Sequence, residues 1–235
     1  MADSSLVATA VNIFTSPGEA FPVIKARPRP AFPLLIFIAL VAVVAVVYIL
    51  NVDLQWMIEN QIRASAAADT MNDTAIEQAA ERSARTPGFI AAVGAIGSAV
   101  SITVVFLVYS LYLWIAAVIA KHGIRFIQAF ALTCWCALPG LLGLLASLVN
   151  IFVNDATFMT QQQINPLSFA ALVGLDATQM SVLNQTLAGL DLTTLWTTGL
   201  MVLGYKAWSG TSIWTAAAIV LGPYVFFIAL AFAVG

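Results

Sequence analysis

Long uncharged apolar runs alternate with short polar segments along this chain. Nothing is charged between Arg29 and Asp53, between Arg85 and Lys121, between Arg125 and Asp155, or after Lys206. Each gap can hold a helix of about 20 mostly apolar residues, the length that crosses a bilayer. A helix satisfies its own backbone N–H and C=O groups, which lipid cannot do. The pattern predicts an all-α fold: a polytopic membrane bundle of five transmembrane helices, at about 31–50, 91–120, 126–153, 190–208 and 213–234, with short interfacial helices. The second and third exceed the hydrocarbon thickness and should tilt or reach the headgroup layer. The fourth is the most polar. Thr193, Thr194, Thr197 and Thr198 crowd its start, and Asp191 sits at its edge.

The polar segments divide the chain into an N-terminal arm, 1–30, and a single membrane domain, 31–235. In the arm, Ser16, Pro17 and Glu19 read as a capping box with proline at the first helical position. Phe14 and Phe21 would give that short helix an apolar face for the cytoplasmic headgroup layer. A partner-docking element is the alternative. Segment 51–87 reads as helix running on from the first span and stopped near Pro87-Gly88, with a Glu81–Arg85 pair one turn apart. Segment 154–189 contains the turn signal Asn165-Pro166. Two short half-helices, 167–175 and 179–190, follow it and should rest on the outer leaflet or cap the bundle.

Composition excludes the soluble classes. Only 9% of the 235 residues are charged and 61% are apolar, whereas soluble domains carry about 25% charge. The mean hydropathy is +0.96. A net charge of −2 offers nothing to nucleic acid. The charges also orient the chain. Lys25, Arg27, Arg29, Lys121, Arg125 and Lys206 fall on one side of a five-span bundle, and segment 154–189 has no Lys or Arg. By the positive-inside rule the N-terminus is cytoplasmic and the C-terminus lies on the far side.

No ionisable residue falls near the middle of any expected span. That argues against a proton relay, a carboxylate ion site or intramembrane catalysis. His122 is the only histidine, and Cys134 and Cys136 are too few for a metal site. No catalytic, cofactor-binding or metal-binding residue is assigned, and no enzyme activity is expected. The spans do carry packing material. Gly94/Ser98 and Gly97/Ser101 are small pairs one turn apart. Gly140 and Gly143 follow Pro139, and Gly222 precedes Pro223; each proline should kink its helix. These features suit intrachain bundling, a homodimer face, or a broken-helix site.

Several stretches together resemble a known family. The run from Phe14 to Phe21 is similar to its Phe-x-Ser-Pro-x-x-x-Phe entry, and Gly123 to Gln128, with Phe126, to its Gly-x-x-x-Phe-x-Gln turn. Leu138-Pro139 follows, then Leu190-Asp191 leading to Trp196 and Gly204, with Thr193 where the family has an aromatic. The chain thus resembles the Yip-domain (Ypt/Rab-interacting protein) family of five-span membrane proteins, in its bacterial branch. The resemblance implies a non-enzymatic protein of the bacterial inner membrane, with a cytoplasmic N-terminus and a periplasmic C-terminus. The GTPase partner of eukaryotic relatives is not transferable. The expected role is an adaptor or scaffold that binds other membrane proteins, or its own copies, or organises the bilayer. A transporter or permeability factor for a small or lipidic solute is the alternative. The missing mid-span charge favours the scaffold.

Overall fold

The computed structural model describes residues 5–65, 70–175 and 182–234. Residues 1–4 of the arm and the first residues of the expected 179–190 half-helix lie outside that description. The arm forms α1 (Leu6–Thr15) and α2 (Pro17–Ala26). Then come α3 (Ala31–Asn51), α4 (Leu54–Arg63), α5 (Asp73–Ala84) and α6 (Pro87–Ile119). The rest is α7 (Phe126–Cys136), α8 (Gly140–Val153), α9 (Phe169–Leu172), α10 (Val182–Gly189), α11 (Leu192–Ser209) and α12 (Ile213–Val234). Among the described residues there is no strand beyond one isolated bridge, Ser168 to Asp191. Four stretches are long and apolar enough to cross a membrane: α3, α6, the α7–α8 run Phe126–Val153, and α12 from Ile213 to Leu230. The fourth expected span, now α11, is not among them.

Local chemistry sets the boundaries. Pro139 interrupts the third span, where short turns from Leu138 N to Trp135 O and from Gly140 N to Ala137 O separate α7 from α8. Segment 51–87 does not continue α3 as expected. Val52 is extended, and the Asp53 carboxylate caps a new helix by accepting from Trp56 N at 3.0 Å. Asn72 does the same for α5. Pro87 opens α6 rather than closing a helix, because a first-turn position needs no N–H. The Glu81–Arg85 pair forms at 2.7 Å on the surface. The capping box at Ser16 does not form. Ser16 N–H already donates to Asn12 O at 2.8 Å to close α1, so Glu19 has no free cap amide to accept from.

The arm is part of the core, not a foot resting beside it. Phe21 is 2% exposed and packs with Ile13, Ala20 and Ile24 against Leu132, Trp135 and Tyr205. Side chains of the bundle tie its backbone down. Trp208 Nε1 donates to Phe21 O at 3.0 Å, Gln128 Nε2 to Lys25 O at 3.0 Å, and Trp135 Nε1 to Arg29 O at 3.2 Å. Lys25 Nζ returns a bond to Trp208 O at 2.7 Å.

Helix α3 serves as a ruler for the bundle. Its 21 residues are about 31 Å long at 1.5 Å per residue. Arg29, just before its start, meets Trp135. Phe37, about 9 Å along it, meets Phe106, with ring centroids 5.4 Å apart. Tyr48, near its far end, donates to Met159 O at 2.8 Å.

Helix α12 runs continuously through the other proline. Pro223 has no N–H for Ile219 O. Tyr112 OH supplies the missing donor at 2.9 Å, and Tyr109 OH donates to the next carbonyl, Val220 O, at 2.6 Å. Gly222 leaves the room, since a methyl group there would stand 2.6 Å from Tyr112 OH. Tyr112→Phe should therefore orphan Ile219 O and lower stability by about 1 kcal/mol. Thermal melting in detergent measures this; an unchanged midpoint would show that the carbonyl needs no such donor.

Candidate functional site: a polar cavity midway along the bundle

Cavities among the described residues include two between the helices. The larger, about 940 Å³, separates α6 from α12 and is lined by Val104, Val105, Val108, Pro223, Phe226 and Phe227 among others. Its Tyr112 and Tyr109 hydroxyls are already spent on Ile219 and Val220, and that of Tyr224 is engaged by Thr198. It offers little with which to recognise a polar solute.

The smaller cavity, about 380 Å³, is different in kind. Phe37 and Val44 of α3 and Phe106 of α6 form one wall. These α3 positions lie about 9 and 20 Å along a helix of about 31 Å, so the cavity is centred halfway along the bundle. Its other walls set polar groups among apolar ones such as Leu144 and Ile164: Asp191, Thr193, Thr194 and Thr197 from the start of α11, Ser147 from α8, and Gln161 and Asn165 from the intervening segment. The segment from 154 to 165 therefore returns into the bundle. It leaves the far end beside Tyr48, where Met159 sits, and reaches the middle at Asn165. Asn150 fixes this descent by donating to Ile164 O at 2.8 Å and Gln163 O at 3.1 Å. At its start, hydrogen bonds from Thr157 hold the Asp155 carboxyl below the usual carboxylate range.

Asp191 is the centre of the site. It caps α11, accepting from Thr194 N at 2.7 Å. The same oxygen accepts from the Thr193 and Thr194 hydroxyls at 2.8 and 2.9 Å, and Oδ2 accepts from Asn165 Nδ2 at 2.8 Å. Four donors converge on one half-buried carboxylate. Gly143 makes space for it, because a methyl group there would lie 3.0 Å from Oδ2. Among the described residues, no Lys, Arg or His lines the cavity.

Asp191 thus lies level with the middle of α3 rather than at an end of the bundle. Counting from charge to charge put Asp191 at the edge of a full-length span. The chain in fact returns before α11 begins, so the edge of that helix falls at the middle of the bundle. Asn165, Ser147, Gln161, Thr194 and Thr197 were not read as site residues. The crowded threonines were the signal at hand, but nothing local joins Asn165 to Asp191 across 26 positions.

The other expected site residues scatter. Phe14 and Trp196 meet edge to face, with centroids 5.5 Å apart. Ser16, Pro17 and Glu19 join α1 to α2, and Phe21 fills the core. Gly123 has φ +68 and open space around it, so it serves the turn rather than packing. Phe126 contacts Trp114 and Phe130, and Pro139 caps α8. Gly94 faces Ile49 of α3, where a methyl group would come within 2.6 Å, and Ser98 back-bonds to Gly94 O. Gly97 and Ser101 are exposed, and a methyl group on Gly97 would meet nothing within 4 Å. His122 lies 2.9 Å from Tyr205 OH. Cys134 and Cys136 are both buried. The described residues contain no group of three or more potential metal ligands.

Comparison with known families gives one result. The family model described as the Yip1 domain matches residues 11–235. No curated protein and no solved structure matches.

Proposed function

The chain belongs to the Yip1 domain family, and on that premise we propose that it is a non-enzymatic integral membrane protein acting as a transporter or permeability factor for a small solute. The observation behind this reading is the Asp191 carboxylate in a polar cavity level with the middle of α3. An ionisable group at that depth in a bilayer is expensive and marks a substrate or ion path. Helices that break or begin at the midplane are the usual frame for such sites. Here α11 begins at Asp191, and α7 gives way to α8 at Pro139. Residues 31–235 form one domain with five crossings: α3, α6, α7–α8, a composite of the returning segment with α11, and α12. The N-terminus is cytoplasmic and the C-terminus periplasmic, in a bacterial inner membrane. A reporter fused after Gly235 should be active outside the cytoplasm, and cytoplasmic activity would remove the fifth crossing. Flux in proteoliposomes tests the function: flux above empty vesicles is expected, and none across a broad panel of small polar solutes would end this reading.

The scaffold reading keeps one observation of its own, the exposed Gly97–Ser101 ridge on α6. Gly97→Leu should leave monomer stability within about 0.5 kcal/mol. Gly94→Leu should lower it by about 1–3 kcal/mol by overpacking Ile49. Melting curves separate the two. Loss of a crosslinked homo-oligomer in Gly97→Leu alone would identify the ridge as an interface between copies or with a membrane-protein partner.

A further inference from the structure

We infer that the Asp191 cavity binds a small monovalent cation, either an alkali ion or a small protonated amine. This rests on the solute-handling reading of the same site and names its substrate class. The argument is a count of donors and acceptors. One Asn165 amide N–H, the Thr193 hydroxyl and both Thr194 donors end on Asp191. The Ser147 hydroxyl ends on Gly143 O at 2.9 Å. What these groups still present to the cavity is mostly oxygen lone pairs, beside the second N–H of Asn165. Oδ1 of Asp191 takes three hydrogen bonds and Oδ2 takes one, so Oδ2 keeps free capacity. The opposing wall includes Phe37, Phe106 and Tyr224, whose rings can hold a cation at their faces.

An anion would meet an acceptor-lined wall and a carboxylate. A neutral acceptor-rich solute would find few donors: the Thr197 hydroxyl, the Gln161 amide and the second Asn165 N–H, with the Tyr224 hydroxyl engaged by Thr198. A cation satisfies the spare lone pairs and neutralises the charge at mid-depth. The start of α11 contributes about half a positive charge, which leaves the site net negative. The volume of about 380 Å³ suits an alkali ion with its remaining waters, or an alkylammonium, rather than a whole lipid.

Equilibrium binding of radiolabelled sodium and of radiolabelled methylammonium to the full chain in nanodiscs tests this. Saturable binding of either is expected, and which one binds distinguishes a metal cation from an amine. Asp191→Asn keeps an equally good helix cap and should weaken binding by about tenfold or more. Thr197→Val removes a hydroxyl that has no hydrogen bond among the described residues and should weaken it by about threefold. Both variants are compared at unchanged melting behaviour. No saturable binding of either cation, or full binding by Asp191→Asn, overturns the inference. Cation binding without any flux keeps this site and ends the transport reading. Glycerol flux unaffected by Asp191→Asn, with no cation bound, does the reverse.

Discussion

Phe21→Ala should destabilise the protein by about 3–5 kcal/mol, the range for removing a buried aromatic side chain. The side chain is 2% exposed. It sits over Gly204, where even a methyl group would come within 2.8 Å of its ring and 2.5 Å of Leu132. The fit depends on Gly204 having no side chain, so α11 cannot easily close the space that alanine leaves. The loss also reaches the backbone. Trp208 holds Phe21 O, and Lys25 holds Trp208 O, so loosening α2 exposes an indole N–H and two carbonyls at once. Thermal stability in detergent, read as the fraction remaining monodisperse after heating, gives the result. A midpoint near that of the unsubstituted chain would mean that the arm docks weakly, as an interfacial foot would.

Apolar runs revealed α3, α6 and α12 because each lies in a long stretch without charge and must satisfy its own backbone. The proline break in the third span was legible for the same local reason: a missing N–H is a property of one residue. Three things were not local. The Ser16 cap failed because α1, which ends at that residue, had already taken its amide. The arm's place in the core depends on Gly204 and Trp208, nearly the whole chain away. The depth of Asp191 depends on where segment 154–191 turns back. The residues that decide this, Asn150 holding Ile164 O and Asn165 holding Asp191, are polar side chains with no periodicity to betray them. Charge spacing finds helices that cross a bilayer from one face to the other. It does not say how far along the bundle a helix such as α11 begins.

Asp191→Ala should lower stability by about 2–4 kcal/mol, because each buried donor left without a partner costs about 1–3 kcal/mol and a lost helix cap about 1 kcal/mol. The carboxylate is half-buried, so water entering the cavity recovers part of the sum. Asp191→Asn should stay within about 1 kcal/mol of the parent, since its side-chain oxygen still caps α11. The pair separates two roles that one residue holds. Alanine removes both the charge and the organiser of Thr193, Thr194 and Asn165; asparagine removes the charge and keeps most of the organisation. Melting curves of the two variants, run beside the cation-binding measurements, read both roles. If alanine melts with the parent, the four hydrogen bonds do not hold the returning segment to α11, and the cavity has some other support. If alanine falls and asparagine does not, the carboxylate's shape builds the site, and its charge is left free for the ligand.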